Sequence, residues 1–153
     1  RYWKIETRFM SSRMKIPVSF YFQKKASLKE RIRLKLFIKK MISHNGGSIK
    51  DIRVVFCDDH YLLNINKIHL KHNYFTDIIT FDYSRKKQLE AELYISVDRV
   101  KENASDLGAS FRCELHRVVF HGILHLLGYK DKNPRDKSQM RSMEDSWLKA
   151  YGF

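Results

Sequence analysis

Two histidines and an aspartate near the C-terminal end have the spacing of metal ligands. His121 and His125 are four residues apart, which places both imidazoles on one face of a helix, where they can reach one cation. Gly128 follows, and glycine readily takes the left-handed conformation that ends a helix and turns the chain back. The turn directs Asp131 toward the same cation. Two imidazoles and one carboxylate leave a fourth position for water, as in a catalytic zinc site.

The spacing H-x-x-x-H-x-x-G-x-x-D matches that of the metzincin zinc motif, H-E-x-x-H-x-x-G-x-x-H, with an aspartate in the third place. Gly122 stands where that motif has its general-base glutamate. A peptidase without this group lacks the base that activates water. The pattern therefore favours a metal site with other chemistry, while a metallopeptidase stays an alternative.

The elements that must position these residues follow from hydrophobic periodicity. Alternating apolar residues predict strands over 18–22, 49–57, 77–83 and 90–96, and the short basic link 84–87 makes the last two an antiparallel hairpin. Helices are predicted over 27–45, from Asp58-Asp59, over 97–107 and 110–127, and from Asn133-Pro134. This order, β-α-β-α-β-β-α-α-α, predicts a single α+β domain with a small mixed sheet of about four strands, about five helices and the metal-binding helix near the C-terminus.

The first predicted helix is amphipathic and rich in lysine. Ser27 is expected to open it, with Glu30 completing a capping box. One arc carries Leu34, Phe37, Ile38, Met41 and Ile42, and the other carries Lys29, Arg33, Lys35, Lys39 and Lys40 together with Leu28, Ile32 and Leu36. One side is expected to be buried and the other can meet phosphates.

The positive charge is concentrated at the N-terminal end. The chain has a formal net charge of +13; residues 1–50 hold 14 Lys and Arg against 2 acidic residues, whereas residues 51–153 are close to neutral at +1. Such an asymmetry favours a polyanionic partner, RNA or DNA before a membrane. A solvated basic face is the alternative.

Several classes of protein are not expected. No apolar run reaches the length of a membrane-spanning helix. Cys57 and Cys113 do not have CxxC spacing, and we expect them to be small buried residues in a reducing compartment. A cytoplasmic location is expected. Residues 1–13 lack the features of a secretory signal, and Met14 is the expected natural start, which makes 1–13 an upstream extension or a cloning remnant and 14–153 the functional domain.

The segment His121–Asp131 resembles the signature H-G-x-L-H-L-x-G-Y-D-H of the bacterial YbeY endoribonucleases. Thr76–Phe81 is similar to the T-D-V-L-S-F strand of that family, Glu92–Ser96 to its following strand, and Glu114–Arg117 to the approach to its metal helix. The resemblance extends from about Met14 to the C-terminus.

The resemblance implies a function. It implies a hydrolase with one zinc ion, a single-strand-specific endoribonuclease of rRNA processing, small-subunit rRNA 3′-end maturation and ribosome quality control. The implied partners are rRNA and the ribosomal small subunit, with a ribosomal protein or a GTPase, and no membrane. His121 and His125 match the first two zinc ligands of the family.

Two positions depart from the family pattern. Asp131 stands in place of the third histidine, and Lys130 in place of the aspartate before it. An anionic ligand weakens the Lewis acidity of the metal and makes another divalent ion compatible with the site. Leu70 aligns with the family's arginine, so Lys71 or His72 is the candidate for stabilising charge on the phosphate.

Some alternatives stay open at the level of sequence. A non-catalytic ribosome-associated RNA-binding factor with a structural metal is the second hypothesis beside the nuclease. Either water or the RNA 2′-hydroxyl can be the nucleophile. Asp77 either orients an imidazole or ends the loop before its strand, and Tyr129 either packs over the metal turn or stacks on a base. His116 is expected to face away from the metal.

Overall fold

The computed structural model describes residues 15–153. Its elements are β1 (Val18–Phe22), α1 (Arg31–His44), β2 (Ser48–Cys57), α2 (Asp59–Leu70), β3 (Ile78–Asp82), β4 (Gln88–Ser96), α3 (Val97–Leu107), α4 (Phe111–Leu126) and α5 (Pro134–Tyr151). The predicted α+β class and element order are confirmed. The expected start at Met14 and the extension before it lie outside the described residues.

The four strands form one mixed sheet in the order β1-β2-β4-β3. β1 pairs with β2 and β2 with β4 in parallel, whereas β3 pairs with β4 antiparallel. The predicted hairpin is therefore confirmed. Its Thr80 lies opposite Leu93, and Leu93 in turn lies opposite Val54 on β2. On both central strands, fully buried residues alternate with more exposed ones, in keeping with their alternating sequences.

Helices cover both faces of the sheet. The main core joins α1, α4 and α5 to one face, with Ile38, Leu93 and Phe120 fully buried in it. A smaller cluster on the other face joins α2 to the sheet through Leu62 and Ile79. The five apolar residues of the predicted inner arc of α1 are all buried, which confirms that arc. The metal-binding helix α4 thus lies directly on the sheet.

The predicted start of α1 is wrong by one turn. The helix begins at Arg31, and Glu30 has a left-handed backbone with φ +53° and makes no capping hydrogen bond through its side chain. Its carboxylate instead accepts from Arg33 and Arg112, each at 3.1 Å. Leu28, predicted on the basic side, is also buried because it lies before the helix. The two guanidinium groups therefore bind the Glu30 carboxylate, which a capping box would need for the backbone of the first turn.

Other helix starts agree with their predicted caps. Asp58, Ser110 and Asn133 each accept a backbone N–H from the first turn of α2, α4 and α5. Pro134 occupies the first turn of α5, where its missing N–H costs nothing.

Two predictions, about membrane-spanning helices and about the cysteines, can be compared with the structure. Within residues 15–153, no helix is both long enough and apolar enough to cross a membrane. Cys57 is buried, Cys113 is partly buried, and neither is in a disulfide.

Candidate metal centre

The C-terminal end of α4 and the turn after it create the site. The Tyr129 N–H bonds to the Leu124 carbonyl at 3.0 Å, and the Gly128 N–H to the His125 carbonyl at 3.0 Å. Gly128 has φ +99°, a left-handed conformation that a residue with a Cβ rarely adopts. This turn reverses the chain and brings Asp131 back beside the helix.

Three donor atoms meet at one point. His121 Nε2 lies 3.0 Å from His125 Nε2, and Asp131 Oδ2 lies 3.3 Å from each of these nitrogens. The three possible ligand atoms, one from each side chain, all lie within 4.8 Å of one another. Donors bound tetrahedrally at zinc distances lie about 3.3 Å apart. The observed separations therefore suit a single cation.

The other ring nitrogens are engaged on the outside of the site. His121 Nδ1 lies 2.8 Å from Glu144 Oε2, and His125 Nδ1 lies 2.9 Å from the Tyr129 carbonyl oxygen. Because both partners are acceptors, each Nδ1 carries the proton and each Nε2 is left with a lone pair. Two lone pairs and a carboxylate facing one another repel unless a cation or a further proton lies between them. The donor set thus fits a metal ion.

Glu144 is a functional residue that the sequence reasoning missed. It lies on α5, and its side chain is only 6% exposed. Arg117 approaches its other oxygen at 3.4 Å, and Arg141 at 3.6 Å. Glu144 is an acidic residue on the otherwise apolar buried stripe of Met140, Trp147, Leu148 and Tyr151, and this pattern was the available sequence signal.

The charge around His121 changes its basicity. Burial lowers the pKa of His121, but the hydrogen bond and charge of Glu144, with the charges of Asp77 and Asp131, outweigh burial and raise it above its ordinary value. Burial also raises the pKa of Asp77 and of Glu114. A carboxylate-rich surrounding of this kind favours a cation at His121.

Asp77 lies beside the site, but its carboxylate is not the one that bonds to a proposed metal-binding imidazole. Its Oδ2 accepts from the Asn103 amide at 3.2 Å, and its backbone carbonyl accepts from Ser96 N–H at 2.8 Å. The carboxylate that orients an imidazole is that of Glu144. Asp77 therefore ties the start of β3 to α3 and β4 and adds negative charge near His121.

Gly122 is required by the packing of α4 against the sheet. A Cβ placed there would lie 2.5 Å from Leu93 Cδ2 and 2.7 Å from Ile78 Cδ1, closer than real contacts allow. The position that holds the general-base glutamate in the metzincin motif therefore points into the sheet and has no room for a side chain. This geometry excludes the metzincin mechanism at this position.

Two clefts meet at His121. The helix-side cleft, of about 460 Å³, lies between α3, α4 and α5, and the strand-side cleft, of about 640 Å³, lies between α2, β3 and the end of α4. Asp77, His121 and Asp131 line both clefts. A cation held at His121 is therefore reachable from either side.

The two candidates for charge stabilisation have different positions. His72 lines the strand-side cleft together with His121 and His125. Lys71 ends α2 in a left-handed conformation with φ +55°, is exposed, and lines neither cleft. Leu70, at the position of the family's arginine, also lines the strand-side cleft. Of the two candidates, His72 and not Lys71 thus lines a cleft that the three predicted metal ligands also line.

Two other residues considered in the sequence analysis, His116 and Tyr129, are held by contacts within the fold. His116 is buried, and its Nδ1 donates to the Arg112 carbonyl at 2.6 Å, away from the metal site. Tyr129 is partly buried against the main core while its carbonyl orients His125. The Tyr129 ring therefore packs against the main core.

Comparisons with known proteins agree with this site. The family model described as "Endoribonuclease YbeY" matches residues 20–152. The chain is 41% identical to Endoribonuclease YbeY of Flavobacterium psychrophilum over 88% of the chain and 96% of that protein. It is 41% identical to that of Cytophaga hutchinsonii over 92% of the chain and 100% of that protein.

A solved structure shares the fold. The solution structure of TM1509 from Thermotoga maritima has a TM-score of 0.61 and 22% identity, with 88% of each chain covered. Because the family model covers nearly the whole described chain, and relatives above 40% identity match over most of their length, this chain belongs to the YbeY endoribonuclease family.

Proposed function

We propose that this chain is a metal-dependent endoribonuclease that cleaves single-stranded RNA during rRNA processing. The observation that carries the proposal is the meeting of His121 Nε2, His125 Nε2 and Asp131 Oδ2 at one point, with both Nδ1 protons engaged elsewhere. Membership of the YbeY family supports the reaction class and a role in small-subunit rRNA 3′-end maturation and ribosome quality control.

The proposed metal is one zinc ion, with another divalent ion compatible because Asp131 is a hard, anionic ligand. His121, His125 and Asp131 would hold this ion, which would supply positive charge for the phosphate and a lowered pKa for water at the site. Three protein ligands leave a coordination position open, which catalysis requires and a purely bracing metal does not.

The chain's own residues have separate roles in the proposal. Glu144 and the Tyr129 carbonyl keep the Nδ1 protons of the two imidazoles and so hold their ring planes. His72, in the strand-side cleft, is proposed to face the phosphate and stabilise its charge. Lys71, the other candidate, ends α2 and so fixes the start of the loop that carries His72.

The alternatives have less support. A metallopeptidase needs a general base next to the metal, and the packing at Gly122 leaves no room for one there. An RNA-binding factor with a structural metal does not need an open ligand position that faces two clefts. The endoribonuclease uses both features.

The test pairs elemental analysis with RNA cleavage under nuclease-free conditions. We expect the wild-type protein to contain one metal ion per chain and to cleave single-stranded RNA, and His121→Ala and Asp131→Ala to lose metal and cleavage together. Asp131→His, which restores the family signature, is the matched control and should retain both. Cleavage by a metal-free Asp131→Ala protein would contradict the proposed mechanism.

The proposed partners are rRNA and the ribosomal small subunit, with a ribosomal protein or a GTPase that delivers the substrate in the cytoplasm. The RNA substrate of the family supports the first of these. Co-sedimentation of the protein with small subunits and with large subunits tests the choice. Equal binding to both subunits would contradict it.

A further inference from the structure

Two aromatic rings form a stacked pair at the strand-side cleft. Tyr74 and His72 have ring centroids 5.2 Å apart with an angle of 22° between their planes, and the Tyr74 hydroxyl bonds to His72 Nδ1 at 2.9 Å. Both rings line the cleft that holds His121 and His125. Tyr74 is 56% exposed, so much of its surface is open to solvent.

A buried side chain holds this pair in place. Asn66 on α2 is 1% exposed, and its Nδ2 donates to the Tyr74 carbonyl oxygen at 2.9 Å. The Asn66 carbonyl accepts from the His72 N–H at 3.1 Å, just after the left-handed turn at Lys71. Both ends of the short segment are thus bound to α2. The rings are positioned before any ligand arrives, which lowers the entropic cost of binding.

The strand-side cleft has few fixed positive charges with which to bind a nucleic acid. Among the residues of the described part of the chain that line it, Lys132 is the single Lys or Arg, whereas Asp77, Asp82 and Asp131 also line it. Leu70, exposed at 42%, supplies no charge. Beyond the metal and the proposed contact of His72, the cleft offers little positive charge to phosphates, and stacking is a further interaction that can hold the strand.

We propose that the His72–Tyr74 pair is a stacking platform for an unpaired base of the substrate RNA next to the scissile phosphate. The proposal rests on the proposed function and adds a source of its single-strand specificity. A base stacks on an aromatic ring whatever its identity, but only an unpaired, unstacked base can offer its face. The platform thus selects single strands without reading their sequence.

Binding measurements on the metal-loaded protein test the platform. The probe is a single-stranded 2′-O-methyl oligoribonucleotide containing one 2-aminopurine, checked by gel to be intact after the measurement. We expect wild type to quench the 2-aminopurine fluorescence, and Tyr74→Leu to restore it and to weaken binding roughly tenfold. Tyr74→Phe keeps the ring and should bind within about twofold of wild type.

A matched control uses another exposed tyrosine of a stacked pair. Tyr61, 41% exposed, stacks on Tyr94 with centroids 6.5 Å apart and lines neither cleft. Tyr61→Leu should leave affinity and quenching unchanged. Equal affinity and quenching for wild type and Tyr74→Leu would overturn the platform.

RNA cleavage separates this inference from the proposed function. If the wild-type protein cleaves RNA and Tyr74→Leu binds the probe as tightly, the platform is wrong and the nuclease stands. If wild type neither binds nor cleaves RNA, both are wrong. Metal content should equal wild type in Tyr74→Leu, because Tyr74 touches no proposed ligand in the described residues.

Discussion

The carboxylate of Glu144 accepts a hydrogen bond from His121 Nδ1 at 2.8 Å. It joins a buried acidic residue of α5 to the first proposed metal ligand on α4. Partners of this kind fix the tautomer and orientation of the ligand and raise its basicity. Arg117 and Arg141 hold the same carboxylate from the other side. We therefore expect the packing of α5 on α4 to contribute to the affinity of the proposed site for metal.

Removal of this carboxylate is expected to weaken metal binding. Glu144→Ala should lower the affinity for zinc about 10- to 100-fold, and Glu144→Gln, which keeps an acceptor, should lower it less. Competition with a chromophoric chelator measures both. Asp145→Ala is the control, since Asp145 also binds Arg117, at 2.7 Å, but makes no contact with His121. An unchanged affinity in Glu144→Ala would show that the hydrogen bond does not act on the metal.

Gly122 gives a prediction about stability. Gly122→Ala should lower the free energy of unfolding by about 1–3 kcal/mol because its Cβ would overlap Leu93 and Ile78. Urea denaturation measures this value. The cost should shrink when the same change is made in a Leu93→Ala background, where the added methyl group finds space. A cost that is the same in both backgrounds would show that the overlap with Leu93 is not its cause.

Local sequence signals predict the core of the site, and long-range packing decides the rest. The pairing of His121 with His125 and the turn at Gly128 depend on helix geometry and on one left-handed glycine, both readable from spacing. Glu144 lies 23 residues beyond His121 on another helix, so only the packing of α5 shows that the two meet. Rules based on sequence spacing relate residues only a few positions apart.

The error at the start of α1 has the same origin. Ser27 and Glu30 satisfy the pattern of a capping box, which takes account of nearby residues alone. One of the partners that engages the Glu30 carboxylate is Arg112, 82 positions away in the sequence. A contact across the fold therefore replaces the expected local cap. The strands and the helix caps at Asp58, Ser110 and Asn133 agree with prediction.

The basic side of α1 is expected to bind RNA backbone outside the two clefts. Lys39 and Lys40 are exposed on this side, and neither lines either cleft. Lys39→Glu/Lys40→Glu should weaken RNA binding and reduce its salt dependence, by about 0.7 in the slope of log affinity for each lost phosphate contact, while metal content is unchanged. Titrations at several salt concentrations measure the slope.

Lys35 is left out of this variant for a structural reason. Lys35 is only partly exposed, whereas Lys39 and Lys40 are exposed. Lys101→Glu, at an exposed position on α3 outside both clefts, is the control for reversing a lysine charge elsewhere on the surface. If the α1 variant binds RNA with an unchanged affinity and slope, the basic side is a solvated face.

His116 is expected to make the fold sensitive to acid. Burial lowers its pKa below the ordinary 6.5, as do the charges of Arg112 and Arg33, against smaller opposing effects that include Glu30. Nδ1 donates to the Arg112 carbonyl, while Nε2 is buried beside the rings of Tyr151 and Phe120 with no hydrogen-bond partner among residues 15–153. A second proton on this ring would be a buried, unpaired charge.

The sign of the effect follows from the depressed pKa. The unfolded chain takes up a proton at this imidazole near pH 6.5, whereas the folded chain does not. The free energy of unfolding should therefore fall as the pH drops below about 6.5, until the lower folded pKa is reached. His116→Gln, which does not titrate, should lose less stability than wild type between about pH 7.5 and 5.5 in urea denaturation. All other histidines are common to both proteins, so equal losses would remove His116 as the cause.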